Sequence, residues 1–477
     1  MNDVIIIGGG IIGAFIAHDL SRYQLKITLL EKDNDVANET TMANSAIIHT
    51  GYDPKDGSLK AILNVEGHRL YPQICKDLEV PYQQIGAYIV AYDEEDEKTL
   101  NNLKQRAIAR NIPYEELTPE QFLIAEPLLN PKIKKVLSFP TTAIIDPMQT
   151  CTALIDVAIT NDVDVKLNQE VISINDTNNG YIVNTQDHSY HSRYVINCAG
   201  INSAKIARMI NDESFDITYR KGEYYVLDKK ANYLTKHIIY PCPSKMGKGV
   251  LIVPTIHQNT LLGPTAFDVE NDDDITTSKD GLQEVKQKVQ KIIPEIPFDL
   301  VIRTFAGLRA KGSTNDFIIY ENKQHAHFIN VAGIDSPGIA SAPAISRYVI
   351  NNFFHDLQLK ENYTIKRRGY YHFDTLDEAS KTRLIEQDPK FGHIICRCEK
   401  ISEQEIIDCI HRPLVPKTLK AIKKRIRPGM GRCQGGFCAP LIIKIIAKEL
   451  NIPEDQVCYD AYDSKILCHE SKGDDHA

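Results

Sequence analysis

The chain has 477 residues, of which 43% are hydrophobic and 25% are charged, so it can bury two or three cores of ordinary size. Its formal net charge of −8 gives no basic excess, and nucleic acid is not an expected partner. No run of about eighteen apolar residues occurs, which excludes a membrane span by sequence. No secretory signal is visible, and eleven mostly scattered cysteines favour a reducing compartment, the cytoplasm.

The first thirty residues predict a βαβ unit. Val4–Ile7 is an apolar strand, Ile12–Tyr23 has the apolar spacing of a helix, and Lys26–Leu30 is a second strand. Such a unit, with glycines at its first turn, is typical of dinucleotide-binding folds.

Three glycines and one carboxylate occupy the positions that a dinucleotide requires. Gly8 permits the tight turn, Gly10 lets pyrophosphate approach the backbone, and Gly13 packs the helix on the strand. Glu31 closes the second strand, where an acidic side chain accepts hydrogen bonds from ribose hydroxyls. No second pattern of this kind occurs in a strand–helix setting, so a separate nicotinamide site is not predicted.

Two later strands are expected to end at the same crevice. Tyr194–Gly200 and His327–Gly333 are apolar, end in small residues and precede segments that can start a helix. In an open parallel sheet, ligands bind in the crevice at such strand ends. The turn at 334–339 is expected to aim amides and a positive helix end into it. A reduced flavin needs that field, because negative charge gathers on its pyrimidine side.

The predicted fold class is α/β: a Rossmann-type nucleotide-binding domain with an inserted strand-rich substrate domain, followed by a small helical module. The strand-rich stretches 82–135 and 219–265 are expected to form the walls of a substrate chamber. The predicted boundaries are 1–355 for the first domain (nucleotide-binding part about 1–80, 140–215 and 300–355; substrate part about 81–139 and 216–299), 356–390 for a linker, 391–460 for the module and 461–477 for a tail.

Four cysteines in the C-terminal module are spaced like metal ligands. They are Cys396, Cys398, Cys433 and Cys438, and four thiolates are what an iron–sulfur cluster requires. The glycine-rich stretch 429–438 lets backbone amides point at cluster sulfurs. Zinc takes the same ligands and is the alternative. Because zinc carries no electrons, a cluster is favoured beside a redox cofactor.

The chain resembles the D-amino-acid-oxidase-type flavoproteins. The resemblance rests on the βαβ unit, the segments 40–51 and 304–309 and the turn Ser336-Pro337-Gly338, and covers about residues 1–355. Segment 40–51, which contains His49, is most similar to glycerol-3-phosphate oxidases and dehydrogenases and to L-2-hydroxyglutarate dehydrogenases. The cysteine module resembles the bacterioferritin-associated-ferredoxin-like [2Fe–2S] domain. The resemblance therefore implies FAD and a [2Fe–2S] cluster as cofactors.

The resemblance also implies which residues hold FAD. The family has a glycine at the position of Ala46, a departure that concerns the local backbone and leaves His49 in place. The implied FAD-binding residues are Gly8, Gly10, Gly13, Glu31, Thr40, Thr41, Ser45, Ile47, Ala199, Gly200, Gly307, Gly333, Ser336, Pro337, Gly338 and Ile339.

His49 is the predicted base, because imidazole accepts a hydroxyl proton near neutral pH. Arg309 is the predicted anchor for an anionic substrate, because a guanidinium can grip a carboxylate or phosphate with two hydrogen bonds. Lys248 is expected to add a second positive charge, and Tyr225 to line the chamber. The alternatives are a histidine that only holds a loop, and surface ion pairs for the two cations.

These features predict an FAD-dependent dehydrogenase for the secondary hydroxyl of a small anion, with glycerol 3-phosphate and dihydroxyacetone phosphate as the leading pair. Electrons are expected to leave through the cluster to a partner subunit or quinone. The alternatives are an L-2-hydroxy acid dehydrogenase, an amine or imino-acid oxidase, and a non-catalytic electron-transfer subunit. The basic run 411–428 is read either as a solvated helix face or as a surface that steers an acidic partner.

Overall fold

The computed structural model describes residues 1–243 and 249–467. The strands in these residues are β1 (Asn2–Ile7), β2 (Ile27–Leu30), β3 (Ile47–Ile48), β4 (Tyr82–Gln84), β5 (Ala87–Ala91), β6 (Glu115–Leu117), β7 (Lys135–Phe139), β8 (Ala143–Ile145), β9 (Asp164–Lys166), β10 (Val171–Thr177), β11 (Gly180–Thr185), β12 (Ser189–Asn197), β13 (Ile217–Leu227), β14 (Ile238–Pro241), β15 (Leu251–Pro254), β16 (Thr260–Gly263), β17 (Phe267–Val269), β18 (Val301–Gly312), β19 (Ile318–Glu321), β20 (Phe328–Ala332), β21 (Ile394–Cys396) and β22 (Ile401–Ser402). The helices are α1 (Ile11–Leu20), α2 (Leu59–Leu78), α3 (Glu94–Ala109), α4 (Pro119–Ala125), α5 (Pro147–Thr160), α6 (Ser203–Arg208), α7 (Lys279–Ile292), α8 (Gly338–Phe353), α9 (Glu378–Gln387), α10 (Glu403–Ile410), α11 (Leu419–Ile426) and α12 (Ala439–Leu450).

An eight-stranded sheet forms the nucleotide-binding half. Strands β9, β2, β1, β12 and β20 are neighbours in that order and run parallel. β1 is apolar and almost wholly buried, and its Val4 and Ile6 side chains share one core with those of α1, α5 and α8, whereas Ile5 and Ile7 face a second core. Because parallel strands end at the same edge, β1, β12 and β20 bring their last residues to one crevice.

A nine-stranded sheet forms the substrate half. Its longest pairing joins β13 to β18, which run antiparallel from Ile217 opposite Gly312 to Leu227 opposite Val301. β5, β7, β14, β15 and β16 extend the sheet and bury two cores, one with α4 and α7 and the other with α3. No helix within the described part of the chain is long and apolar enough to cross a membrane.

The C-terminal module has a core of its own. Helices α10, α11 and α12 pack around the short β21–β22 ladder, and their isoleucines form the centre of this core. The preceding segment, predicted as a linker over 356–390, includes α9 and contributes Tyr370 to the same core. Most of the predicted tail, from residue 468 onwards, lies outside the described residues.

The basic run 411–428 is neither a solvated face nor a free docking surface. Lys424 and Arg425 on α11 are buried, with side-chain exposures of 1% and 0%, and both contact Asp35, which lies just after β2. Arg427 contacts Glu399 and Asn259. Sequence reasoning missed this because Asp35 and Arg425 are far apart along the chain. The run joins the module to the first domain.

Candidate active site and cluster site

One cavity of about 640 Å³ lies between the two sheets. Its floor is the crevice at the ends of β1, β12 and β20, and its roof comes from β13, β18 and the residues around Thr265. The predicted residues that line it are Gly8, Gly10, Glu31, Thr40, Thr41, Ser45, Ile47, His49, Ala199, Gly200, Arg309, Ser336, Pro337, Gly338 and Ile339.

The glycine turn after β1 leaves backbone open to a ligand. Gly8 has φ +107°, and a Cβ there would lie 2.5 Å from the Cys198 carbonyl oxygen. Gly10 is the N-cap of α1 and offers no side-chain cap. The amide end of α1 therefore faces the cavity with its partial positive charge, which suits a pyrophosphate.

Other predicted glycines pack the wall from behind. A Cβ at Gly13 would lie 2.0 Å from the carbonyl oxygen of Gly8, so only glycine lets α1 approach β1 this closely. A Cβ at Gly307 would lie 2.4 Å from that of Ala43. Gly333, with φ +64°, turns the chain from β20 toward α8. These three shape the site but are not part of the cavity lining.

Glu31 is the buried carboxylate at the end of β2. It accepts hydrogen bonds from the amides of Gly9 (2.6 Å) and Asp33 (2.9 Å). Burial, with the negative charge of Asp33, raises the pKa of Glu31 to about 7. A carboxyl group in this state gains from additional hydrogen-bond donors such as ribose hydroxyls.

The segment that leads to His49 is held by its own side chains. Ala46 has φ +59°, a left-handed conformation that favours glycine. Asn44 stabilises it, because its side-chain oxygen accepts from the Ala46 amide at 2.7 Å and its nitrogen donates to the Thr41 carbonyl at 2.7 Å. The alanine therefore leaves the turn in place.

His49 lies on the cavity wall with a fixed ring. Its Nδ1 is 3.1 Å from the hydroxyl of Tyr240, which is buried in β14. Its backbone carbonyl accepts from the buried Asn64 of α2 at 2.7 Å. Burial raises the pKa of Tyr240 well above its usual value, so this phenol stays protonated. Sequence reasoning missed Tyr240, since no spacing pattern links it to residue 49.

Arg309 reaches the same cavity from β18. Its Nη2 donates to the Thr265 carbonyl at 2.9 Å, and Gly222 opposite it makes room, because a Cβ there would lie 2.4 Å from that nitrogen. Within the described residues Arg309 forms no ion pair, whereas neighbouring Arg220 is neutralised by Asp268 at 2.7 Å. The guanidinium charge is thus available to an anion.

The structure corrects the prediction for Tyr225. Its ring packs on Phe298, 5.6 Å between centroids, in the core beneath the sheet. Successive strand residues face opposite sides, so Tyr224 takes the cavity position, stacks on Phe305 and lies 3.2 Å from Ser45 Oγ. Lys248 lies outside the described residues.

The four predicted ligand cysteines meet in the C-terminal module as two pairs. Cys396 and Cys438 are buried and within hydrogen-bond reach of each other. Cys398 is exposed, and its sulfur lies 3.6 Å from that of the partly exposed Cys433. A Cβ at Gly431 would lie 2.2 Å from that of Cys398, so glycine allows the two ligand loops to meet.

In each pair the pKa of one cysteine is lowered and that of the other is raised: Cys396 and Cys433 are lowered, and Cys438 and Cys398 are raised. The Cys438 thiol and the amides of Gly429 and Glu399 lower the pKa of Cys396 to about 6. The Phe437 and Gly435 amides also bond the sulfur of Cys433. Two pairs suit two irons, each with two protein thiolates.

Comparisons with known proteins identify both parts. The family model described as FAD dependent oxidoreductase matches residues 3–351. The chain belongs to this family. The model described as BFD-like [2Fe-2S] binding domain matches residues 394–448 of the oxidoreductase. FAD and a [2Fe–2S] cluster are its cofactors, and the predicted fold class and family are confirmed.

Similar proteins cover the chain to different extents. The oxidoreductase is 43% identical to a glycerol 3-phosphate dehydrogenase of Caloramator mitchellensis over 99% of this chain and 100% of that protein. It is 34% identical to a glycerol 3-phosphate oxidase of Mycoplasma genitalium over 76% of this chain and 97% of that protein. An FAD-bound L-alpha-glycerophosphate oxidase structure from Mycoplasma pneumoniae superposes with a TM-score of 0.74 at 34% identity, covering 77% of this chain and 98% of that chain.

The state of Glu31 predicts how FAD binding depends on pH. If the ionised carboxylate accepts from ribose, binding below about pH 7 must first remove a proton, and FAD affinity should rise up to about tenfold per unit as the pH increases toward 7. Flavin-fluorescence titration of the apoprotein between pH 6 and 8 measures this. Glu31→Gln should bind more weakly and lose the dependence. A wild-type affinity independent of pH would contradict the assignment.

Proposed function

We propose that this oxidoreductase converts glycerol 3-phosphate to dihydroxyacetone phosphate and passes the electrons through its cluster to an acceptor. The observation that carries the proposal is one cavity lined by both His49 and Arg309, an arginine that forms no ion pair within the part of the chain that the structure describes. The relative named glycerol 3-phosphate dehydrogenase, which matches over its whole length, supports the choice of substrate.

His49 can accept the proton that the reaction releases. Oxidation of a secondary alcohol removes a hydride from carbon and a proton from oxygen, and FAD supplies the hydride acceptor when bound. His49 takes the proton on Nε2, which requires Nδ1 to carry its own hydrogen and donate to Tyr240. Because Tyr240 stays neutral, its oxygen accepts that hydrogen bond and holds the ring in place.

Arg309 has the geometry to hold the phosphate. Its guanidinium presents parallel donors that match two phosphate oxygens, and its bond to Thr265 orients the plane. A carboxylate fits the same fork, so an L-2-hydroxy acid remains the alternative substrate. The full-length similarity favours the phosphate ester.

The outer cysteine pair offers an exit for electrons. We define the cluster-edge surface as Arg397, Cys398, Arg432, Phe437 and Leu441, all of them exposed. Phe437 is 80% exposed, and neither arginine forms an ion pair within the described residues. A surface with exposed apolar side chains and two arginines that lack ion pairs within the described residues suits the docking of an acidic protein that carries single electrons. The free thiols of the described cysteines support a cytoplasmic location.

Replacing the base should stop substrate oxidation and leave the cofactors intact. In His49→Gln, anaerobic bleaching of the flavin by glycerol 3-phosphate should slow by about 10²- to 10⁴-fold, because proton removal loses its acceptor. Dithionite, which needs no base, should still reduce flavin and cluster. Stopped-flow absorbance measures both. An unchanged rate with substrate would show that His49 is not the base.

Substitutions of Arg309 test the anion and the substrate class. Arg309→Lys keeps the charge but loses the fork, so KM for glycerol 3-phosphate should rise by about tenfold or more with FAD content unchanged. Arg303→Lys, exposed on the same strand, is the matched control. Parallel titration of the wild type with L-2-hydroxyglutarate distinguishes the classes. If only that acid bleaches the flavin, the proposed substrate is wrong.

Charge reversal tests the cluster-edge surface. With oxidised rubredoxin, a small acidic carrier, as the probe, glycerol 3-phosphate-dependent reduction should fall by about tenfold in Arg397→Glu/Arg432→Glu and decrease with salt. Lys417→Glu, exposed elsewhere on the module, is the control. Reduction of the dye phenazine methosulfate should be the same in all three proteins. Equal rubredoxin rates in variant and wild type would refute this surface.

A further inference from the structure

The segment 31–41 has two faces with different partners. On one face, Glu31, Lys32, Glu39, Thr40 and Thr41 line the FAD cavity. The Thr41 hydroxyl also accepts from the Ile11 amide at 3.0 Å, at the start of α1. This segment therefore connects the ribose end of the site with its pyrophosphate end.

The other face of the segment is held by the cluster module. Arg425 of α11 donates to both carboxylate oxygens of Asp35 at 2.8 Å each. Lys424 contacts Asp35 at 2.8 Å and donates to the Val36 carbonyl at 2.6 Å and to Asn38 at 2.5 Å. All three charged side chains are buried.

The segment that these cations hold also contacts the glycine turn after β1. The Ala37 amide donates to the Gly9 carbonyl at 3.1 Å, and a Cβ at Gly9 would lie 2.9 Å from a Val36 methyl. The Gly9 amide in turn donates to Glu31. A shift at Val36 or Ala37 would displace both the pyrophosphate turn and the ribose carboxylate.

Helix α11 also packs within the cluster module. Its Ile422 and Ile426 are buried in the core of the module. At its C-terminal end, Arg427 pairs at 3.2 Å with Glu399, the residue after the ligand Cys398. Helix α11 is therefore a rigid element shared by the two cofactor sites.

We propose that the cluster module completes the FAD site: α11 holds segment 31–41 in its FAD-binding conformation through Asp35, so FAD binding and retention of the cluster stabilise each other. Lys424 and Arg425 are positioning residues, since they act on FAD through the segment. Coupling between two binding sites is reciprocal, so each cofactor must strengthen the binding of the other by the same factor. The proposal does not depend on the identity of the substrate.

Removing one cation from the interface should weaken FAD binding without touching the cavity. In full-length Arg425→Met stripped of FAD but retaining its cluster, the dissociation constant for FAD should rise at least tenfold, because Asp35 loses the guanidinium that binds both of its carboxylate oxygens in a buried site. Arg425→Lys should restore part of the affinity. Lys417→Met, an exposed cation of the same run, should bind FAD like the wild type. Flavin-fluorescence titration measures all four proteins, with cluster content checked by visible absorption.

A second measurement tests the coupling from the side of the cluster. The rate of iron loss from the wild-type protein to an excess of chelator should be at least severalfold slower with saturating FAD than without it. In Arg425→Met this protection should be lost. The proposal is overturned if FAD leaves the rate of iron loss in the wild type unchanged, or if Arg425→Met retains both its cluster and wild-type FAD affinity.

Discussion

The contact of Asp35 with Lys424 and Arg425 of α11 holds the cluster module against the first domain. Its three charges are buried, so each would be strongly destabilising without the others. Burial alone would raise the pKa of Asp35, but the two cations hold it well below its usual range. These three charges compensate one another only when the module is docked in this orientation. The charges therefore make the geometry of the interface specific.

The docked module also explains how one chain can combine a hydride acceptor with a carrier of single electrons. A flavin accepts a hydride, whereas a [2Fe–2S] cluster carries single electrons, so the two cofactors must be held at a fixed separation for reliable transfer. A flexible tether would provide encounters but no fixed geometry. Here the segment before the cluster packs Tyr370 into the module core, and Arg367 pairs with Asp156 of the first domain at 2.6 Å. The connection is therefore structured along its length.

The sequence predicts features whose partners are near in the chain. The turn after β1, the carboxylate ending β2 and the cysteine spacing each belong to a short pattern with a defined backbone geometry, and the cavity is built around the first two. Within β13 the sequence does not separate Tyr224 from Tyr225, since both are aromatic and the choice depends on which face the sheet turns to the cavity. The Ala46 position shows the same limit, because its left-handed turn is stabilised by the Asn44 side chain, which accepts a hydrogen bond from the Ala46 amide and donates one to the Thr41 carbonyl.

Long-range charge pairing is the part that sequence patterns miss most completely. The run 411–428 has the composition of a solvated surface, and helical periodicity does place Ile422 and Ile426 on the inner face of the module. It does not reveal that Lys424 and Arg425 of the same helix meet a second domain. An acidic partner for these cations was a reasonable expectation, but that partner is Asp35 of the same chain.

The two cysteine pairs differ in burial, so the module has an inner and an outer side. Cys396 and Cys438 are each 1% exposed, whereas Cys398 is exposed to solvent. A cluster held by these four cysteines would have two of its thiolate ligands inside the module and two at its edge. Glu399 follows Cys398 and is anchored through Arg427 to α11, so the edge is held by the same helix that grips the FAD segment. An acceptor that docks at the edge therefore meets a cluster whose position is fixed relative to the flavin site, and docking need not rearrange the enzyme.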